Sequence, residues 1–418
     1  MEAVYPTLSL GERDRRWRLI RGLMTAGGFD CLIVAGLRGR EQFDGYVTND
    51  SCEGIVVFPQ EGQPTYLAWA TSRITRYMDN LERGGTSWID DWRVGATGPG
   101  LVAILREKGF DSATIGVVGL ESQAPGEPEG CIAYKTWHHV LEHLPNATFV
   151  DVSRQFAELM LVKSKEELAL LRHSARIGEM ACEAMVTVTK PGTTESEIYA
   201  TVIKTIFSNG ANAIWPILNL QTGVHNLGWG PPMWLYRAQP PPVVQKGDIV
   251  QTEMFPCYGG METQQQMSIA LKPVHPINQE LAEVARHSYE AGLQALRPGK
   301  KFREVARAME VPITEAGCWR VTPLIHTLNP LLWVGPSRIG IDQLIAQLPG
   351  IEKYKWTQRV PLTAPVGGED LVVKPGMVFA FEPNACRGKH RVNIGGTVVV
   401  TEDGVEELNK LPTEMQAV

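Results

Sequence analysis

The sequence predicts an α/β domain over residues 1–158 followed by an α+β domain over residues 159–418. Three observations carry this. Helix and strand signals alternate through the first part, as an α/β layer requires. From about residue 159 the texture changes to long amphipathic helices, and the phrase helix–Pro-Gly–helix occurs twice. The chain then closes on short apolar strands separated by turns. With 44% hydrophobic and 21% charged residues, 418 residues suffice to bury two cores.

In the first domain ERDRRWRLIRGLMTAGGF has apolar residues at helical spacing and stops at Gly27-Gly28. DCLIVAG is a buried strand, and GIVVFPQEGQPTYLAW a hairpin turning at Gln60-Glu61-Gly62. LVAILREKGF is a helix ended by Gly109, SATIGVVGL a strand, YKTWHHVLEHLP a helix closed by Pro145, and ATFVDVS a last strand.

In the second domain Ser164 and Glu167 form a capping box: the Ser oxygen accepts an orphan backbone N–H and the Glu reaches back. Leu168, Leu171, Ala175 and Gly178 then make a helical stripe. Pro191-Gly192 breaks that helix, and Thr194 with Glu197 starts the next. INQELAEVARHSYEAGLQAL and RPGKKFREVARAM repeat the device, which suggests an internal pseudo-repeat. Asp248–Leu271 reads as two strands about a Gly turn, with Glu253 in the first and Gln264, Gln265 and Gln266 in the second. By strand alternation Gln264 and Gln266 share one face and Gln265 takes the other. Pro240-Pro241-Pro242 marks a loop, and Trp319–Val373, rich in Gly, Pro and aromatics, is read as insertions over a cavity.

A net charge of −6 implies no field suited to nucleic acid or anionic membrane. No window approaches the roughly 18 apolar residues of a membrane span, and no secretory signal is visible at the start. Seven scattered cysteines fit reduced thiols in a cytoplasmic protein, with packing roles for Cys257 and Cys386.

LVKSKEELALLRHSARIGEMA, KPGTTESEI, KGDIVQTEMFPCYGG, VKPGMVFAFEP and TVVVTEDGVEEL come in the order and spacing of the creatinase/aminopeptidase P/prolidase family. The chain resembles that family clearly from about residue 160 to 418, and by shape only before that. The resemblance implies a creatinase-like α/β domain followed by a pita-bread catalytic domain. Family peptidases hold two divalent ions with two Asp, one His and two Glu, and use them to activate a bridging water. Those slots fall here on Glu253, Gln264, His326, Glu382 and Gly395. Anionic ligands are thus reduced to Glu253 and Glu382, so no metal and no other cofactor is expected.

The resemblance is then closest in style to the metal-free creatinase branch, where a His is the general acid/base and carboxylates hold the substrate's guanidinium. It implies His225 or His326 as acid/base, with Glu253 and Glu382 orienting substrate or water. His225 lies in QTGVHNLGWGPP; an ungapped alignment puts Tyr236 in that slot instead. Gln266 replaces a guanidinium-binding Glu, Arg359 matches the Arg for the substrate carboxylate, and Asn49 and Ser51 fall where the branch has Phe and Arg. Each lost charge-assisted contact is worth roughly 1.5–3 kcal/mol, so creatine is not the expected substrate. Trp229 and Tyr236 add apolar surface, and His390 and Arg391 are read either as cavity lining or as loop charge.

The leading expectation is a metal-independent hydrolase of a C–N bond in a small amide, urea or amidine, acting as a homodimer whose first domain completes the partner's pocket. Two alternatives stand beside it. One is a metallohydrolase or Xaa-Pro peptidase-like enzyme with a single-ion site built from Glu253, His326, Glu382 and His225 or His390. The other is a non-catalytic pita-bread binding protein.

Overall fold

The computed structural model describes residues 5–36, 42–50, 54–121, 130–336, 341–354 and 370–418. It divides into two compact units. One is Thr7–Leu161 with Pro330–Leu332; the other is Val162–Asn329 and Trp333–Val418 with the residues up to Pro6.

The first unit carries strands β1 (Cys31–Ala35), β2 (Ile55–Pro59), β3 (Thr65–Ala68), β4 (Asp91–Val94), β5 (Thr114–Val118) and β6 (Thr148–Asp151). They form one sheet in the order β4-β3-β2-β1-β5-β6. β2 runs antiparallel to β1 and β3, which makes the hairpin read from the sequence, while β5 and β6 extend β1 in parallel. Helices α1 (Leu10–Gly27), α2 (Phe43–Thr48), α3 (Thr71–Glu82), α4 (Thr97–Glu107), α5 (Tyr134–His143) and α6 (Ser153–Leu159) complete it. β1 and β2 are buried along their whole length, and α4 and α5 seal part of the sheet with Leu101, Leu105 and Val140. β4 was not expected: its residues are at most half-buried, so no apolar run announces it.

The second unit begins with α7 (Lys165–Val188) and α8 (Glu195–Ser208), both opened by the capping boxes that the sequence predicts. β7 (Asn212–Gly223), β8 (Ile249–Tyr258), β9 (Met261–Glu262) and β10 (Gln265–Ala270) follow, then α9 (Pro276–Ala295) and α10 (Phe302–Glu315). After these come β11 (Ile325–Thr327), β12 (Val334–Gly335), α11 (Ile341–Gln347), β13 (Val378–Phe381), β14 (Asn384–Arg387), β15 (His390–Asn393), β16 (Gly396–Val400), β17 (Val405–Glu407) and β18 (Gln416–Ala417).

One sheet runs β18-β10-β8-β7 with β9 on β8; a second runs β12-β11-β13-β16-β17. α7 and α8 cover the first, where Leu218, Leu220, Val250, Met254, Met267 and Ile269 meet Ile177, Ala181 and Val202. α9 and α10 cover the second, through Tyr289 against Phe381 and Phe302 against Phe379. The two helix–Pro-Gly–helix phrases thus become two outer layers. The sheet faces turned away from the helices carry polar residues and meet through the bridge Gln266–Gly395 and the β14–β15 hairpin. Among the described residues no helix is long and apolar enough to cross a membrane.

The first unit holds an unusual buried acid. Asp44 Oδ2 accepts from Tyr66 Oη at 3.1 Å and Gly54 N at 3.4 Å, while Oδ1 has no partner among the described residues. Burial raises its pKa to about 6, against the lowering effect of those hydrogen bonds. A carboxyl raised above its unfolded value of about 3.9 stabilises the fold while protonated. That contribution is full below about pH 4 and is lost as pH rises through about 6. Asp44→Asn, which stays neutral, is expected to raise stability at pH 7.5 by up to roughly 2–3 kcal/mol, with the advantage shrinking by pH 4.5. Denaturant titrations at the two pH values check this; an advantage independent of pH contradicts it.

Candidate active site

Strand alternation sorts the side chains of the first sheet. In β8 the even residues Val250 and Met254 face the helices, so Gln251 and Glu253 point to the opposite side. The register pairs Asn219 of β7 with Glu253, and Glu253 with Gln266 of β10. Asn219, Glu253 and Gln266 therefore form one buried row across three strands. Gln265 takes the other face: a Cβ on Gly178 of α7 would meet its amide at 2.4 Å. Glu253 Oε2 accepts from Asn219 Nδ2 at 3.0 Å and from the Trp229 indole.

The second sheet brings Glu382 from the end of β13 and His326 from β11, held by Glu382 N donating to Leu324 O at 2.8 Å. Both side chains are buried, at 5% and 3% exposure. Gln266 Nε2 donates to Glu382 Oε2 at 2.5 Å, and Asn393 Nδ2 approaches Gln266 Oε1 at 3.4 Å. His326 Nε2 lies 3.8 Å from Glu382 Oε1.

Gln264 presents an acceptor to His326. Its Nε2 donates to Glu262 Oε1 at 2.8 Å, so its oxygen is what faces His326 Nε2, at 3.0 Å. His326 Nδ1 faces the Thr327 carbonyl at 2.8 Å. Two acceptors thus confront the two ring nitrogens. An ionised Glu262 accepts only, which sets the amide's orientation. The hydrogen bonding is complete when both ring nitrogens carry protons, so the arrangement favours the imidazolium.

Arg391, on β15, is 3% exposed. Burial lowers its pKa, opposed by the Cys386 thiol and the charges of Glu253 and Glu382. Its Nη1 donates to Gly228 O at 2.9 Å, one residue before the indole that binds Glu253. Three buried polar atoms on this side have no partner among the described residues: Arg391 Nε, Asn219 Oδ1 and Gln251 Oε1. Buried orphans of this kind are uncommon and mark a place for a polar ligand or water.

The structure thus joins Glu253, Glu382, His326, Gln264, Gln266 and Trp229. His225 stands apart from them: it is exposed beyond the end of β7, its ring centroid 4.6 Å from that of His390. His390 lies equally close to His275 and directs Nδ1 to Asn278 Oδ1 at 3.1 Å. Its pKa is lowered by burial and then by the two neighbouring histidines. Tyr236 is exposed, ending a short turn from Met233. Asn49 belongs to the first unit, where it caps α2 at φ 55°. Ser51 and Arg359 lie outside the described residues. Sequence reasoning passed over Glu262, Asn219 and Asn393. The first ends β9, two residues before Gln264, which the structure places in the short link to β10 rather than in the strand with Gln266.

The residues present do not fit a pair of metal ions. Gln264 is committed between Glu262 and His326, and Gln266 already donates to Glu382. Gly395 has no room for a ligand: a Cβ there would lie 1.9 Å from Phe381 O and 3.1 Å from Glu382 Cα. Among the described residues no three His, Cys, Asp or Glu side chains are placed to hold an ion.

Residues 169–402 match the profile of metallopeptidase family M24. The chain is 24% identical to a creatinase of Bacillus sp., over 98% of this chain and 93% of the relative. It is 21% identical to an ectoine hydrolase of Halomonas elongata, over 96% of each. A solved Xaa-Pro dipeptidase from Bacillus anthracis shares the fold, with a TM-score of 0.71 at 18% identity, over 97% of this chain and 100% of the other.

The crowding at Gly395 makes a direct test of the geometry. Gly395→Ala pushes a methyl into the Phe381–Glu382 backbone and is expected to cost about 1–3 kcal/mol or more, read as a lowered denaturation midpoint. A variant as stable as the parent contradicts the close approach.

Proposed function

The chain belongs to metallopeptidase family M24, and on that premise we propose that it is a metal-independent hydrolase of a C–N bond in a small amide, urea or amidine other than creatine. The observation that carries this reading is the Glu262–Gln264–His326–Glu382 line, in which the amide of Gln264 occupies a position that a metal centre would fill with an anion. Hydrolase relatives on this fold, including a creatinase and an ectoine hydrolase, support it. The unpartnered acceptors Asn219 Oδ1 and Gln251 Oε1 suit a substrate rich in N–H donors.

In this mechanism Glu253 and its row bind and orient the substrate. Glu382 accepts a proton from the attacking water as its oxygen bonds to the substrate carbon. The tetrahedral adduct collapses with cleavage of the C–N bond, and His326 Nε2 delivers its proton to the leaving nitrogen. Glu382, 3.8 Å away, then returns the water's proton to His326, which restores both groups. The acid/base role is assigned to His326 rather than His225, because only His326 touches the carboxylate line. Gln266 in place of a carboxylate at the Glu382 side disfavours a full guanidinium. A homodimer, on the family resemblance, and a cytoplasmic location, on the scattered reduced cysteines, complete the reading.

The test is a hydrolysis screen over small amides, lactams, ureas and amidines with protein stripped by chelator. Turnover is expected to survive chelation and to fall about 10²–10⁴-fold in His326→Asn, while His225→Ala stays within a few-fold of the parent. Loss of activity on chelation, regained with a divalent ion, contradicts the metal-free reaction; a large loss in His225→Ala moves the acid/base role there.

A further inference from the structure

We propose that Arg391 is the site's resident cation: its guanidinium supplies at Glu253 and Glu382 the positive charge that a metal ion would otherwise bring, and thereby keeps divalent ions out. The inference rests on the metal-free reading above and adds the residue that enforces it.

The placement comes from how β15 crosses the first sheet. The Gln251 amide donates to Arg391 O, Ser268 Oγ donates to Asn393 O at 2.8 Å, and Asn393 Nδ2 reaches Thr252 O at 3.2 Å. β15 therefore lies across β8 and β10 on the side where Glu253 and Gln266 emerge. From there Arg391 and Asn393, two residues apart, share one strand face. Asn393 reaches Gln266, which binds Glu382; Arg391 holds Gly228, whose neighbour Trp229 binds Glu253. Arg391 thus comes from a strand laid on the polar face that carries both carboxylates, and its guanidinium feels the charges of Glu253 and Glu382.

The chemistry follows from burial. Two carboxylates and a guanidinium with nine-tenths or more of their surface covered cannot each remain charged unless they compensate one another. Arginine is the side chain that stays charged under these conditions. A divalent ion placed between Glu253 and Glu382 would meet that fixed positive charge in a medium that screens poorly. A merely packed arginine would have no bearing on metal affinity, whereas a resident counter-cation governs it.

The full chain is titrated with Mn²⁺ by calorimetry in three forms: the parent, Arg391→Met and Arg391→Lys. The parent and Arg391→Lys, which keep the charge, are expected to show no Mn²⁺ binding below millimolar concentration. Arg391→Met, with one positive charge fewer beside the two carboxylates, is expected to bind Mn²⁺ at least about tenfold more tightly than the parent. If Arg391→Met is unfolded alone, Mn²⁺ is expected to restore a cooperative melting transition. A folded Arg391→Met with parental Mn²⁺ affinity, or an unfolded one that Mn²⁺ does not rescue, overturns the assignment. Stoichiometric Mn²⁺ binding by the parent instead removes the metal-free reading on which it rests.

Discussion

A single amide sets the electrostatics of the site. Gln264 is gripped at its nitrogen by Glu262, so it can present only oxygen to His326. An aspartate or glutamate there would add an anion able to bind a cation; an amide adds only direction. The neighbouring pairs follow the same logic, with Asn219 on Glu253 and Gln266 on Glu382. Glu253 and Glu382 each accept a side-chain hydrogen bond, and in the proposed metal-free reading Arg391 and His326 add positive charge from the chain itself. Buried charges persist when they are both paired and hydrogen-bonded.

The fold makes this arrangement possible by turning two polar sheet faces toward each other. α7 and α8 absorb the apolar face of one sheet and α9 and α10 that of the other, leaving the inner faces free for Glu253, Gln266, His326 and Glu382. The layers are drawn together where Gln266 N donates to Gly395 O at 3.0 Å. Gly395 also lies against the Phe381–Glu382 backbone of its own sheet, where a Cβ would come within 1.9 Å of Phe381 O, so no side-chain ligand fits at that position.

Much of this was legible in the sequence because it depends on local rules. Both capping boxes, the β2–β3 hairpin and the opposite faces of Gln265 and Gln266 follow from side-chain spacing and alternation. Glu382 stood out as a charge in an apolar strand. What alternation cannot supply is how one strand crosses another. Arg391 sits in a short basic run, Arg387-Gly388-Lys389-His390-Arg391, and reads equally as cavity lining or loop charge until β15 is laid over β8. His225 looked catalytic from its neighbours in sequence, yet β7 carries it past the row and leaves Trp229 to fold back onto Glu253. β7 itself was missed, since Pro216 lies within it and its pairing shifts register between Ala213 and Leu218.

The central claim is that protons and hydrogen bonds, rather than ions, balance the buried carboxylates. Nitrogen-15 NMR of the imidazole of His326 at neutral pH addresses it most directly, with His326→Asn assigning the signal. The account predicts two protonated ring nitrogens. A neutral ring with a free lone pair on Nε2, or a signal moved by a bound ion and released by chelator, would contradict it.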